Sequence, residues 1–286
     1  MQLPGKRRLK VVSPAGICDN APGNSIMVRL TATLITRNEE RNLPRALASL
    51  AGLADEILVV DSGSTDDTCA VARRFDARVL TRPWTDYSDQ KNFAAAQAAH
   101  EWIFSLDAAE ELSPPLQESL RRWKQSQPTA VAYAVRRRAR YLGAWIHHSG
   151  WYPDPKLRLY RRARARFVGV LHESLRAEGP VEQLDGDLYH HTVNTLSEHT
   201  SRINRYTTIA AQQLFSAGRR RWLPPLLLAP PWTFLRTFLF QQGFRDGYRG
   251  WLIAQMAAWY VFLKYLKLGV LVHGGSLAPK PKEAQP

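Results

Sequence analysis

The sequence predicts an α/β fold with a Rossmann-like, mostly parallel sheet flanked by helices. Between residues 29 and 106, short β-rich runs alternate with helical patterns, which is typical of βαβ units. Two of the predicted strands end in an aspartate, Asp61 and Asp107. Because parallel sheets bind ligands at the carboxyl ends of their strands, these two residues mark a candidate site.

The predicted elements follow one another at spacings that suit such units. The first strand, Leu30–Ile35, is apolar and rich in threonine, and either Asn38 or Asn42 can cap the helix that follows. Strand Glu56–Val60 is a continuous apolar run of the kind that parallel sheets bury. The later elements are a helix that begins at Asp66 and Asp67, strand Arg78–Thr81, helix Ser88–Ala99, strand Trp102–Leu106 and helix Leu196–Phe215.

The chain is strongly basic, with 39 Lys and Arg residues, 25 Asp and Glu residues and a formal net charge of +14. This charge indicates a polyanionic neighbour (nucleic acid, an anionic membrane or a phosphorylated substrate) or a role in solubility. The basic residues cluster at 136–140, 158–166 and 219–221, without an RNA-binding, zinc-finger or leucine-zipper pattern. Cys18 and Cys69 lie far apart, so we expect a reducing compartment and no disulfide framework.

An ordered set of short motifs carries a resemblance to a known family. The motifs are Leu-Ile-Thr-Arg-Asn-Glu-Glu at 34–40, Val-Val-Asp-Ser-Gly-Ser-Thr-Asp at 59–66, Ser-Leu-Asp at 105–107, Trp-Tyr-Pro-Asp at 151–154, Leu-Arg-Leu-Tyr at 157–160 and Val-Leu-His-Glu at 170–173. Together they resemble the family 2 glycosyltransferases of the GT-A fold, in particular the lipopolysaccharide-core β-1,4-glucosyltransferases. The resemblance covers roughly residues 29–215.

The resemblance implies that the first motifs bind a UDP-sugar donor. At the end of its strand, the Asp61 carboxylate can accept hydrogen bonds from a uracil N–H or a ribose hydroxyl, and Gly63 allows a tight turn beside it. Asp66 either belongs to this site or caps the next helix. Lys91 either reaches the diphosphate as a point charge or lies on the surface. The other expected donor-binding residues are Thr36, Asn38, Glu39, Ser62, Ser64, Asp107 and Arg158.

The metal motif of the family is altered in this chain. The family usually has Asp-Ala-Asp-Glu, whose second Asp commonly binds Mg²⁺ or Mn²⁺, whereas residues 107–110 read Asp-Ala-Ala-Glu. Such an ion bridges the two phosphates and stabilises the leaving diphosphate. Asp107 and Glu110 are the expected ligands of Mg²⁺ or Mn²⁺. Three alternatives stay open: Glu110 or Glu111 replaces the missing carboxylate, Asp107 alone holds a more hydrated ion, or the chain is a weak or inactive enzyme.

An inverting transfer needs a base that takes the proton from the attacking acceptor hydroxyl. The candidates for catalysis are Glu173, Asp154 and His172. Glu173 best fits the place where the family carries its catalytic carboxylate, and the alternative for His172 and Glu173 is a polar pair at a strand end. Asp154 can orient a sugar hydroxyl or form an Asx turn. Arg158 can also bind a phosphate of the acceptor.

Four segments are expected. Residues 1–26 are a disordered extension without a secretory signal, 27–125 are the nucleotide-sugar-binding half and 126–215 the acceptor-binding half of one GT-A domain. Residues 216–286 form a helical tail in which Arg alternates with Trp, Phe and Leu, as in helices that lie in the interface of an anionic membrane. A soluble helical subdomain or a dimer face is the alternative. Gln255, Lys264 and Lys267 argue against a spanning helix over residues 251–272.

The leading hypothesis is an inverting transfer of a hexose, glucose in the nearest branch, from a UDP-sugar to a lipid-linked or lipopolysaccharide-core saccharide. It places the protein in the cytoplasm, peripherally on the inner membrane. The second hypothesis is a nucleotide-sugar-binding protein that lost catalysis together with the carboxylate at Ala109. The third, a nucleic-acid-binding protein, rests on charge alone, and the ordered motifs weigh against it.

Overall fold

The structure, a computed structural model, describes residues 27–169 and 173–277. The predicted extension 1–26 and the catalytic candidate His172 therefore lie outside the described residues. The elements in chain order are β1 Leu30–Thr36, α1 Leu43–Ala48, β2 Glu56–Asp61, α2 Thr68–Arg74, β3 Arg78–Thr81, α3 Tyr87–Gln97, β4 Trp102–Asp107, β5 Glu110–Leu112, α4 Pro114–Lys124, β6 Ala132–Tyr141, β7 Ala144–Trp145, β8 Asp154–Arg161, β9 Ala165–Val168, β10 Ser174–Ala177, β11 Val181–Val193, α5 Leu196–Ser216, α6 Leu223–Leu235, a π-helical turn Arg236–Phe240, a 3₁₀ turn Gly243–Asp246 and α7 Gly247–Val272.

The chain forms two compact units. The first contains the described residues up to Arg138 together with 154–190, and the second contains residues 139–153 and those from His191 onward. The boundary between the units falls within β6 and β11. The expected halves 27–125 and 126–215 are not these units, and they stay a prediction about which residues bind donor and acceptor.

The sheet has the strand order β3-β2-β1-β4-β8-β6-β11-β5, with β7 paired to β6. Strands β3, β2, β1 and β4 are parallel, whereas β8 is antiparallel to β4 and β6, and β5 is antiparallel to β11. The predicted α/β fold with a Rossmann-like parallel sheet is confirmed. Strands β2 and β3 lie on one side of β1, whereas the next parallel strand, β4, lies on the other side. The strand order therefore reverses between β1 and β4.

The core of the first unit explains why these segments become strands and helices. Leu30, Ala32 and Leu34 of β1 are fully buried in one apolar cluster with Leu43 and Leu47 of α1. Each buried leucine contributes about 1.5–3 kcal/mol relative to an exposed one. Helix α1 has a proline in its first turn, and Asn42 is its N-cap residue, one of the two predicted, but the Asn42 side chain makes no capping hydrogen bond.

The second unit is mainly helical. Helix α7 packs against α5 and α6, and Gly269 of α7 lets the ring of Trp222 approach closely, since a Cβ there would lie 2.8 Å from Trp222 Cδ2. The carboxylate of Asp246 accepts hydrogen bonds from the backbone N–H groups of His147 and His148 and from the Ser149 hydroxyl. None of the helices in the described ranges is both long enough and apolar enough to cross a membrane.

Gly186 gives a test of the packing between β11 and α4. It has a φ of +94°, and a Cβ there would lie 2.3 Å from the backbone nitrogen of Leu116. We expect Gly186→Ala to lower the free energy of unfolding by roughly 2–5 kcal/mol, measured by urea denaturation, because backbone strain and overpacking combine. In the control Gly52→Ala, φ is +68° but no atom lies within 4 Å, so the loss should be about 1–2 kcal/mol. Equal losses in the two variants would contradict this account.

Candidate functional site

The candidate site lies in the first unit, at the carboxyl ends of three neighbouring parallel strands. Thr36 ends β1, Asp61 ends β2 and Asp107 ends β4. In the sheet register Thr36 is opposite Asp61, and Ile35 is opposite Asp107. The two aspartates therefore lie at one edge of the sheet, beside the reversal of strand order, as the sequence predicts.

The carboxylate of Asp61 is buried and organises the turn that follows β2. Its Oδ1 accepts hydrogen bonds from the hydroxyls of Thr36 (3.0 Å) and Ser64 (2.5 Å), and its Oδ2 from the backbone N–H groups of Gly63 (3.0 Å) and Ser64 (2.8 Å). Burial raises the pKa of Asp61, but the hydrogen bonds from Ser64, Thr36 and Gly63 outweigh it and leave the pKa lowered. These four hydrogen bonds fill the usual acceptor positions of the Asp61 carboxylate. Direct contact of Asp61 with a uracil or ribose stays a prediction.

The loops after β1 and β2 are bonded to each other. The backbone N–H of Asn38 donates to Ser64 Oγ (2.8 Å), and the Asn38 side-chain oxygen accepts from the N–H of Thr65 (2.8 Å), so Asn38 links the loops and does not cap α1. The N–H of Glu39 donates to Thr68 Oγ1 (2.7 Å). Asp66 accepts the backbone N–H of Thr68, the first residue of α2 (3.0 Å), and that of Glu40 in the loop after β1 (3.2 Å), so it both binds the start of the helix and joins the loops, although the N-cap residue itself is Asp67.

A cavity of about 410 Å³ opens at the end of β1. It is lined by Ile35, Thr36, Arg37, Glu39, Trp84 and Tyr87. The rings of Trp84 and Tyr87 are in edge-to-face contact, with centroids 4.8 Å apart, and both side chains are substantially exposed. This aromatic pair was not among the residues predicted from the sequence, although the positions of Trp84 after β3 and of Tyr87 at the start of α3 were a usable signal.

An alternating chain of carboxylates and cations joins the other predicted site residues; we call it the charge network. Lys91 Nζ lies 2.8 Å from Asp107 Oδ1 and 3.1 Å from Glu173 Oε1. Arg158 Nη2 donates to Asp107 Oδ2 (2.8 Å) and to Glu110 Oε1 (2.6 Å). The full network is Glu173, Lys91, Asp107, Arg158, Glu110, Arg137 and Asp154, in contact order.

Burial strengthens the electrostatic interactions between the charged groups of this network. The side chains of Lys91, Arg158 and Glu110 are 4%, 5% and 0% exposed, whereas that of Asp107 is 33% exposed. Burial raises the pKa of Asp107, but Arg158 and Lys91 hold it well below its usual range. Burial and the neighbouring Asp107 raise the pKa of Glu110 against the opposing effect of Arg158. Of the two carboxylates bound by Arg158, Asp107 is therefore the one that solvent can reach, whereas Glu110 is not.

The turn between β4 and β5 does not fit a carboxylate-held divalent cation. Position 109 is alanine, and the Glu110 side chain folds back to accept the backbone N–H of Asp107 (3.1 Å). Glu111 lies 3.5 Å from Arg45, and both oxygens of Asp107 already contact cations. Within the described ranges, no group of three or more His, Cys, Asp or Glu side chains is arranged to hold a metal ion. The predicted Mg²⁺ or Mn²⁺ site at Asp107 and Glu110 is therefore not supported by these residues.

Asp154 and Glu173 lie at opposite ends of the charge network. Asp154 begins β8 and accepts from Arg137 Nη2 (2.7 Å), a residue that the sequence analysis did not assign to the site. The neighbours of Arg137, Arg136 and Arg138, form ion pairs with Asp187, so this basic run is not simply a solvated face.

Comparisons with known proteins give a consistent family. The family model described as Glycosyl transferase family 2 matches residues 31–177. LpsC of Rhizobium meliloti, a lipopolysaccharide core biosynthesis glycosyltransferase, is 34% identical over 84% of this chain and 91% of its own length. An uncharacterized glycosyltransferase of Rickettsia typhi is 29% identical over 85% of this chain and 87% of its own.

Solved structures also resemble the chain. Staphylococcus aureus TarS in complex with UDP-GlcNAc has a TM-score of 0.44 at 15% identity, covering 87% of this chain and 93% of that protein. Glucosyl-3-phosphoglycerate synthase from Mycobacterium tuberculosis, in complex with Mn²⁺, UDP and glucosyl-3-phosphoglycerate, has a TM-score of 0.34 at 22% identity, covering 43% of this chain and 51% of that protein.

Arg158 gives a test of the charge network. We expect Arg158→Met to lower the free energy of unfolding by about 3–5 kcal/mol at neutral pH, because Asp107 and Glu110 lose their shared counterion. The loss should shrink as the pH falls, since protonation removes the negative charge that Arg158 no longer neutralises. The control Arg161→Met changes a partly exposed arginine of the same strand and should cost about 1 kcal/mol or less. Urea denaturation across pH checks this, and a loss that does not depend on pH would contradict it.

Proposed function

This chain belongs to glycosyltransferase family 2, and we propose that it transfers a hexose, with inversion, from a UDP-sugar to a saccharide of the lipopolysaccharide core or its lipid-linked precursor. The observation that carries the proposal is the position of Lys91. Its ammonium group contacts both Asp107, at the end of a parallel strand where ligands bind, and Glu173, the candidate base. Donor and base are thereby assigned to one site.

The donor nucleotide occupies the edge of the sheet in this proposal. The cavity beside Trp84 and Tyr87 is large enough for a base, which can stack on either exposed ring. Thr36, which lines this cavity, donates to Asp61 at the start of the turn, and the Gln90 side chain donates to Ser62 Oγ in the same turn (2.9 Å). Because Gln90 precedes Lys91 on α3, this bond connects the turn to the charge network.

Glu173 is the proposed general base. The acceptor hydroxyl oxygen attacks the anomeric carbon, the bond between that carbon and the phosphate oxygen breaks, and UDP leaves with the bonding electrons. The proton of the hydroxyl passes to the Glu173 carboxylate. Lys91 holds this carboxylate at 3.1 Å and so fixes its position relative to Asp107. No step uses a divalent cation, because the residues at 107–111 do not fit one.

The acceptor class follows from the relatives and from charge. LpsC is named as a lipopolysaccharide core glycosyltransferase and aligns with most of this chain. The net charge of +14 suits an acceptor that carries phosphate or acidic sugars. Glucose as the transferred hexose rests on the resemblance to the β-1,4-glucosyltransferases.

A non-catalytic nucleotide-sugar-binding protein is the second candidate function. The alanine at position 109 favours it, because the family usually has a metal-binding aspartate there. It predicts UDP binding without turnover, whereas the first candidate predicts both.

We also propose that the second unit attaches the protein peripherally to the anionic cytoplasmic face of the inner membrane. Many large apolar side chains between residues 223 and 251 of this unit are exposed, namely Leu223, Leu227, Leu228, Trp232, Leu235, Leu239, Phe240, Phe244, Tyr248 and Trp251. The rings of Trp232 and Phe240 lie 5.8 Å apart, which connects α6 to the π-helical turn. Exposed arginines in the same stretch, at 219–221, 236 and 245, can contact anionic headgroups. This combination is typical of helices in a membrane interface.

Glu173→Gln tests the catalytic part of the proposal. We expect the native chain to release UDP when donor and acceptor are both present, and the variant to lose about 10²–10⁴-fold in kcat with little change in UDP affinity. Glu178→Gln, an exposed glutamate five residues away, is the matched control and should keep full activity. UDP binding without release in the native chain would favour the second candidate, and full activity of Glu173→Gln would rule out this base.

Flotation with lipid vesicles tests membrane attachment. Replacing Leu227, Leu228 and Trp232 with serine should weaken binding to anionic vesicles at least about 100-fold, because each side chain no longer buries apolar area in the interface. High salt should weaken the binding of the native chain as well, since it screens the arginines. Leu196→Ser, an exposed leucine on α5, should have no effect. If the native chain bound neutral vesicles as strongly as anionic vesicles, the proposed contribution of the arginines to membrane binding would be contradicted.

A further inference from the structure

The charge network is balanced without any metal ion. It contains four carboxylates, Asp107, Glu110, Glu173 and Asp154, and the three cations Lys91, Arg158 and Arg137, and Lys156 Nζ contacts Asp154 (3.0 Å) as a fourth cation. A divalent cation at a nucleotide site is usually bound by one or two carboxylates together with the phosphates of the substrate. Here side-chain cations already neutralise the carboxylates that would bind such an ion.

A metal ion at Asp107 would also compete with both neighbouring cations. An ion bound to a carboxylate lies about 2.0–2.6 Å from its oxygen. Lys91 Nζ and Arg158 Nη2 each lie 2.8 Å from one of the two oxygens of Asp107. Both are almost fully buried, so neither can move into solvent without a rearrangement of the site. A divalent ion bound to either oxygen would lie close to one of these two cations and would be repelled by it.

The neighbouring carboxylates do not replace the missing ligand. Glu110 is completely buried between Arg158 and the backbone N–H of Asp107. Glu111 follows Glu110 on β5 and pairs with Arg45 instead (3.5 Å). The alternative that one of these glutamates supplies the carboxylate absent at Ala109 is therefore not favoured.

The two central cations keep donor capacity for a ligand. Among its contacts with described residues, Lys91 uses two of its three N–H groups on Asp107 and Glu173. Arg158 uses Nη2 on Asp107 and Glu110, and its buried Nε has no hydrogen-bond partner within the described ranges. Both cations flank the partly exposed carboxylate of Asp107 at the end of β4, where strand order reverses and where parallel sheets bind ligands.

We infer that Lys91 and Arg158 take the place of a divalent cation in this chain, and that the diphosphate of the donor is bound and its leaving charge stabilised without metal. The inference rests on the proposed function, since it concerns the same donor site. The alanine at position 109 then has a physical reason. An aspartate there would place a further negative charge next to the anionic diphosphate, and no cation of the charge network would neutralise it.

Calorimetric titration with UDP tests the inference. The affinity of the native chain should agree within about threefold between excess EDTA and millimolar Mn²⁺, because side-chain cations supply the positive charge. Electron paramagnetic resonance of Mn²⁺ should show no binding to the native chain, with or without UDP, beyond the binding of Mn²⁺ to UDP itself. An affinity for UDP that rises at least about tenfold with Mn²⁺ would overturn the inference and leave the proposed function standing. No UDP binding in either condition would overturn both.

Two substitutions of Ala109 form a matched pair. Ala109→Asp should lower UDP affinity in EDTA at least about tenfold, because it places an uncompensated negative charge beside the diphosphate, and Mn²⁺ should restore the affinity. The side chain introduced by Ala109→Asn has nearly the same shape as that introduced by Ala109→Asp but carries no charge. The Ala109→Asn variant should therefore bind UDP as the native chain does. Equal losses in the two variants would overturn the electrostatic explanation, and thermal unfolding of both confirms that they are folded. If Ala109→Asp does not fold, the native titrations decide the inference alone.

Discussion

The ion pairs of Arg158 with Asp107 and Glu110 are the interaction on which the site depends. Arg158 lies on β8, and its two partners lie at the end of β4 and the start of β5. These contacts therefore join the parallel part of the sheet to its antiparallel part. A buried ion pair of this kind adds little net stability, but the loss of one partner is costly because it leaves an unpaired buried charge. The arrangement consequently fixes the position of Asp107 more than it stabilises the fold.

The position of Asp107 connects the fold to the chemistry. Lys91 reaches it from α3, and the same ammonium group holds Glu173. The fold thus places the Asp107 carboxylate, with a cation on each side, where the strand order reverses. The candidate base Glu173 is joined to it through Lys91. The altered metal motif is consistent with this arrangement, because side-chain cations occupy both oxygens of the carboxylate that a metal ion would use.

Much of the fold could be predicted from the sequence, because it depends on local patterns. The apolar runs of β1 and β2 and the aspartates that end β2 and β4 are visible without a structure. The partners of charged residues were not predictable, since they depend on tertiary contacts. Arg158 is 51 residues from Asp107, and Glu173 is 82 residues from Lys91. The basic cluster at 136–140 was visible in the sequence, but not that Arg136 and Arg138 pair with Asp187 while Arg137 joins the charge network.

The most direct test of the account is a crystal structure of the chain with UDP and Mn²⁺, with diffraction data collected at the manganese absorption edge. The account predicts the uracil against Trp84 or Tyr87, the diphosphate beside Lys91 and Arg158, and no anomalous peak at Asp107. A manganese peak about 2.2 Å from the Asp107 carboxylate, between it and the diphosphate, would contradict the central claim that this chain binds its donor with side-chain cations alone.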